Sequence, residues 1–294
     1  MTVTAIGSGT ISRFINPLTD FGFKHLLGSE PNKDIMIEFL NAIFSGQKKI
    51  VDLVFSPTEY AGSTEMYRKV YFDLMCTGRD GDQFIIEMQC RKQEFFSDRC
   101  VYYLSRLVSE QLPKGESDWN TRLKEVYLIA ILEFKFNNND DDRYLHDIAL
   151  MNKDTGKLFY DRLGFKFLEL SNFDKEVHEL VSDLDKWFYI LKNMSRLEKI
   201  PLYLNQGIFK KLFKIAEVSK LTEEQRKLYE SNLKAKWDYE NSIAFASKEA
   251  RTEGEEKGRQ AGILIAAQKF KQTGIPPVQI SETLGLSVEE IEKL

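Results

Sequence analysis

The chain has 294 residues, 43% of them hydrophobic and 29% charged, with a formal net charge of −4. That length and balance suit one large globular domain or two and exclude a low-complexity or fibrous protein. The acidic excess excludes a surface coated in nucleic-acid contacts, so any contact with DNA has to come from a local basic patch.

No apolar run approaches the roughly 18 residues of a membrane span. The opening MTVTAIGSGTISRF lacks the basic and apolar regions of a signal peptide, so the expectation is a cytoplasmic protein with no membrane partner. The three cysteines, Cys76, Cys90 and Cys100, have no C-x-x-C spacing and read as free thiols rather than a zinc site. His25, His146 and His178 are scattered singly, and no G-x-S-x-G elbow supports a serine nucleophile.

In chain order, residues 1–15 read as a flexible lead-in. Thr19 caps a short helix that Gly28 ends. Asn32 opens a second helix, running to Phe44, with the apolar stripe Ile35, Met36, Phe39, Leu40 and Ile43. Glu38 lies off that stripe, either turned toward the acids described next or on a solvated face. A strand over 51–60 ends at Glu59, which is either a further carboxylate of the same cluster or a rim residue.

Residues 69–91, KVYFDLMCTGRDGDQFIIEMQCR, hold two β-rich runs around Gly78-Arg79-Asp80-Gly81-Asp82, the signature of an antiparallel hairpin. A three-residue loop with Gly81 in the left-handed region sets Asp73 directly across from Glu87, and alternation along the strand puts Gln89 on the same face. Cβ atoms so opposed lie roughly 4.5–5.5 Å apart, where two like charges destabilise the pair unless something offsets them. A divalent cation such as Mg²⁺ or Mn²⁺, completed by water and phosphate oxygens, is one such offset. Neutralisation in solvent by Arg68, Lys69 or Arg91 is the other.

Residues 94–111 follow as a helix carrying Arg99, Tyr103 and Arg106 on one face. They are candidate phosphate contacts, with a solvated stripe beside Asp98 and Glu110 as the alternative. EVYLIAILEF (125–134) reads as a strand covered on both faces. The run of Asn and Asp at 137–142 is a turn without EF-hand spacing, and 144–151 and 166–170 are further strands.

Beyond Phe173 the period becomes helical, with the stripe Val177, Leu180, Val181, Leu184, Trp187, Phe188 and Leu191. Helices over 209–218 and 223–246 follow, and Lys210, Lys211 and Lys214 read as a solubility cluster. Residues 253–262 (EGEEKGRQAG) read as a hinge. Helices at 263–272 and 277–284, and a third opened by a Ser287–Glu290 capping box, form a helix-turn-helix-like tail. Its last helix, VEEIEKL, is acidic and would be repelled by phosphates, which favours protein contact or dimerisation over DNA reading.

The opening INPLTDFGFKHLLGSEPNKDIMIEFLNAIF, the pair YFDLMC and FIIEMQ, FFSDRCVYYLSRLVSEQ and VYLIAILEF together resemble the PD-(D/E)XK nuclease family transposases, also called recombination-promoting nucleases (Rpn). The resemblance spans about residues 14–195. It implies an α/β restriction-endonuclease-like core with a central mixed sheet, followed by a helical C-terminal region. The expected partition is a nuclease-like domain at 16–195, a helical extension at 196–252 and the tail at 253–294. By position, Asp73 and Glu87 take the metal-ligand places, the Met88 carbonyl is a further ligand, and Gln89 stands where lysine is usual. The implied activity is hydrolysis of DNA phosphodiesters with Mg²⁺ (or Mn²⁺), in recombination or transposition; a homodimer through the C-terminal helices is a candidate arrangement from the acidic tail. A nuclease-fold binding module with little or no catalysis, and a defence or toxin-type nuclease, are the competing expectations.

Overall fold

The computed structural model describes residues 12–57, 59–60, 70–112, 121–136 and 143–294. The chain forms two compact units, Met1–Leu233 and Lys234–Leu294.

The first unit is built on a six-stranded mixed sheet, ordered β1-β4-β5-β6-β8-β7. Its strands are β1 (Leu53–Phe55), β4 (Leu74–Gly78), β5 (Gln83–Gln89), β6 (Val126–Leu132), β7 (Leu145–Met151) and β8 (Leu158–Glu169). The short strands β2 (Glu59–Tyr60) and β3 (Val70–Tyr71) pair separately. One strand over 51–60 is therefore replaced by two segments in different sheets. β5, β6 and β8 run parallel, so Gln89, Leu132 and Glu169 form one row at their carboxyl ends. In open α/β sheets that end is where ligands bind.

The sheet is covered on both faces, which is why β6 is apolar on each. One face carries Cys76, Phe84, Ile86, Ile129 and Ile131. These pack with α1 (Asp20–Leu27), α2 (Lys33–Phe44), α4 (Asp183–Asn193) and α5 (Gly207–Ile215) in one continuous core. The other face carries Ile85, Leu128, Ala130 and Phe167 under α3 (Phe96–Ser109), through Phe96, Cys100, Leu104 and Leu107. Each Phe, Leu or Ile so buried contributes about 1.5–3 kcal/mol from water exclusion alone.

Both ends of the core close on each other. Phe14 and Ile15, which the sequence places in a lead-in, are fully buried. Phe14 bridges to Glu217, the Ile15 N–H donates to the Ala216 carbonyl at 2.8 Å, and the Asn16 N–H donates to the Tyr229 hydroxyl at 2.9 Å. Trp187, Phe213 and Tyr229 belong to this same core, so part of the region read as an extension packs with the nuclease-like part. Residues 1–11, and the 137–142 turn, lie outside the described residues.

Two helix boundaries differ from the sequence reading. The stripe from Val177 does not give one helix: α4 begins at Asp183, and Val181 is 88% exposed. Ser182 and Asp185 form a capping box there, which satisfies the first amides of α4 and stops it extending backward. The proposed hinge at 253–262 is instead helical, inside α6 (Glu223–Gln272). Gly254 and Gly258 each cost about 1 kcal/mol against alanine, but Arg251–Glu255 and Lys257–Glu253 brace the helix one turn apart.

In the second unit the end of α6 packs with α7 (Pro277–Leu284) and α8 (Val288–Glu292) around Ala267, Ile280 and Ile291. The Ser287–Glu290 capping box is present. No helix among the described residues is long and apolar enough to cross a membrane.

Candidate active site

The β4–β5 hairpin has the register expected from its loop. Gly81 sits at φ 88° and donates its N–H to the Gly78 carbonyl at 3.0 Å, while Gly78 donates to Asp82 at 2.8 Å. Leu74 then faces Ile86 and Met75 faces Ile85, so Asp73, one residue outside β4, meets Glu87.

The two acids are joined through backbone amides. The Asp73 N–H donates to Glu87 Oε1 at 3.3 Å, and the Met88 N–H donates to Asp73 Oδ2 at 2.7 Å. Gln89 Nε2 donates to Glu87 Oε2 at 3.3 Å. Glu87 is 4% exposed and Asp73 is half-buried. Burial raises the proton affinity of both, and for Glu87 the neighbouring Asp73 charge raises it further. Two acids held this close, with neither carboxylate ion-paired to a cation among the described residues, make a site that favours a proton or a cation; Arg68 and Lys69 lie outside the described residues.

Hard oxygen donors in that state fit a small divalent ion. Among the described residues no group of three His, Cys, Asp or Glu side chains converges, so Asp73 and Glu87 would hold it by two carboxylates, with water and substrate oxygens completing the shell. This fits Mg²⁺ or Mn²⁺ better than zinc, which takes nitrogen and sulfur ligands in a closed tetrahedron.

Cationic groups approach from two helices. On α3, Arg99 stacks over Phe96 and Tyr103, 5.6 and 5.8 Å from their centroids, and hydrogen-bonds Gln93. Its Nη2 is buried without a hydrogen-bond partner. The Arg99 charge acts on both carboxyls, opposing the effect of burial. Tyr103 is half-buried, and its hydroxyl is pushed above the usual tyrosine range by burial, then by Glu87. Arg106 is 6% exposed and engages Glu110 at 2.8 Å, two turns further along α3. On α1, Lys24 and Asp20 pair at 2.7 Å, and both charges act on Asp73.

Glu38 lies on the exposed face of α2, and Glu59 lies opposite Tyr71, two residues before Asp73. On the Glu87 side of the sheet, the lateral row continues through Ala130 and Phe167 to His146. His146 Nε2 lies 3.0 Å from Glu169 Oε2, and that carboxylate is 2% exposed.

A family model for PD-(D/E)XK nuclease family transposases matches residues 17–246. The chain belongs to that family. Neither a curated protein nor a solved structure matches it significantly. Nuclease-like, hydrolytic chemistry on DNA goes with the family, and PD-(D/E)XK nucleases generally use divalent metal ions. Asp20, Lys24 and the His146–Glu169 pair were not singled out from sequence. Asp20 and Lys24 show there only as a one-turn pair on a helix surface, and His146 and Glu169 lie 23 residues apart.

Proposed function

We propose that this PD-(D/E)XK family member is a metal-dependent DNA endonuclease, with Asp73 and Glu87 as metal ligands and Gln89 beside them. The observation that carries the reading is the opposition, across one hairpin, of a buried carboxyl and a half-buried one joined through backbone amides. A divalent ion held there would stabilise charge on the phosphoryl oxygens and acidify a water.

The remaining work falls to the chain's own side chains. Gln89 holds Glu87 through its amide N–H and, being neutral, can orient a water or phosphate oxygen but cannot take a proton. Arg99, fixed on two aromatic rings with an unpartnered Nη2, is placed to face developing negative charge. Tyr103 lines the same flank. The Met88 carbonyl is a further candidate ligand, and Glu38 and Glu59 are candidates only as outlying acids. Arg106, held by Glu110, contributes through packing of α3.

The family description supports a role in DNA mobility, and the acidic α8 supports dimerisation rather than DNA contact by the tail. A plasmid-nicking assay tests the chemistry. With Mg²⁺ or Mn²⁺ the wild type nicks, while Asp73→Asn and Glu87→Gln each lose at least about 100-fold, near 2.7 kcal/mol of transition-state stabilisation. Retained cleavage in both variants rejects the site.

A second reading rests on the uncharged Gln89: a nuclease scaffold that binds DNA without cutting it. It is favoured if calorimetry finds no divalent-ion binding while salt-dependent DNA binding persists.

A further inference from the structure

The chemistry at Asp73 and Glu87 has a charge problem. A phosphodiester brings negative charge to two carboxyls, hydrolysis adds more, and Gln89 supplies none in return. Arg99 is one answer, but its guanidinium is already stacked on Phe96 and Tyr103 and bonded to Gln93.

α1 is placed where a second cation is needed. Its leading turn touches the end of β5: Cys90, next after Gln89, has its Sγ 3.5 Å from the Leu18 carbonyl. Its trailing end rests on the start of β4: a Cβ on Gly28 would fall 2.3 Å from Leu74 Cδ2, and Leu74 is the residue after Asp73. The helix therefore bridges the two strand ends that carry the site residues. Gly22 is required by the turn that leads into the helix, because a Cβ there would lie 2.0 Å from the Asn16 carbonyl oxygen. Phe23, Leu26 and Leu27 face the core, leaving Asp20 and Lys24 on the outer side at the rim.

Lys24 is also free to change partner. Its side chain is 46% exposed and its recorded ion partner, Asp20, is 59% exposed. An exposed pair of this kind is worth only a few tenths of a kcal/mol. A backbone phosphodiester carries the same single negative charge as that carboxylate on two non-bridging acceptor oxygens, and binding DNA releases its counterions, so exchange costs little.

We propose that Lys24 is a phosphate-contacting residue of this site, resting on Asp20 until the DNA backbone takes its place. The inference rests on the nuclease reading above and adds to it a cation from α1, opposite Arg99. Asp20 keeps the rim neutral in the free protein, so Lys24 does not collapse onto Asp73.

Full-length protein and a fluorescein-labelled duplex, titrated in EDTA across a salt series, test this without catalysis. Lys24→Gln should bind about tenfold more weakly at 0.1 M salt, with a log–log salt slope shallower by about one. Lys24→Arg should restore the slope, and Lys227→Gln, on exposed helix surface, should match the wild type. With Mg²⁺, Lys24→Gln should also nick more slowly. A Lys24→Gln protein that melts like the wild type and keeps its affinity, slope and nicking rate overturns the proposal. If that happens while Asp73→Asn abolishes nicking, only Lys24 is lost; if Asp73→Asn nicks normally, the nuclease reading falls first.

Discussion

Asp185 and the Asp73–Glu87 pair are carboxylates that one fold removes from water, with opposite results. Asp185, 2% exposed at the start of α4, accepts from Lys175 Nζ and the Tyr144 hydroxyl, each at 2.9 Å, and from the Val181 and Ser182 amides at 3.1 Å. Burial opposes its ionisation, but those four donors outweigh burial and hold its pKa down to about 2. Burial raises the proton affinity of Asp73 and Glu87, the Asp73 charge adds to it at Glu87, and the amides they accept from do not offset it. Burial of an acid is therefore neutral information; the neighbours decide whether it holds the fold together or waits for a ligand.

The sharpest way to break the comparison is to remove the paired acid. Asp185→Ala strands two amides and a tyrosine hydroxyl and should destabilise the protein by about 3 kcal/mol in urea melts. The sign of its pH dependence follows from the lowered pKa. Its contribution, on the order of 2 kcal/mol, is complete above the ordinary aspartate range and drains away as pH falls through that range toward about 2. A variant whose acid denaturation matches the wild type would show that the network is ornamental.

Metal should separate the sites next. Mg²⁺ or Mn²⁺ at 100 times its Kd adds about 2.7 kcal/mol to a protein that binds it folded and not unfolded. At this size the Tm should rise by roughly 4–5 °C. Asp185→Asn should show the same rise, and Glu87→Gln none.

The smallest effect is the most diagnostic. Without metal, Glu87→Gln should stabilise the protein by about 1 kcal/mol at pH 7, because it deletes a charge the fold disfavours. A raised carboxyl pKa means the penalty is absent below about pH 4.3 and grows as pH rises above it. The Tm gain of Glu87→Gln should therefore vanish in acid, where Asp185 is failing.

Much of this contrast was legible before any coordinates. The opposition of Asp73 and Glu87 follows from a five-residue turn, since Gly81 sets the loop length and the loop length sets the register. Local sequence carries that information. It does not carry the approach of α1, because Asp20 and Lys24 read as an ordinary surface pair until Gly28 meets Leu74. Nor could it reveal Asp185 as a hub, because its donors Tyr144 and Lys175 come from separate segments of the chain. Two periodic signals misled. Val177 to Val181 fit a helical stripe that the Ser182 cap cuts off, and the glycines of α6 read as a hinge because their cost is visible in sequence and their bracing is not.

The seam joining Phe14, Ile15 and Asn16 to Ala216, Glu217 and Tyr229 has a bearing on biosynthesis. While the ribosome is still adding those later residues, the aromatic ring of Phe14 has no burial site, and neither does the surface of α1 that Tyr229 and Asn232 cover. The nascent polypeptide therefore carries sticky, unfinished surface until residues 213–232 have been translated. Ribosome-associated chaperones that shield such surface would govern how much of the protein reaches its native state.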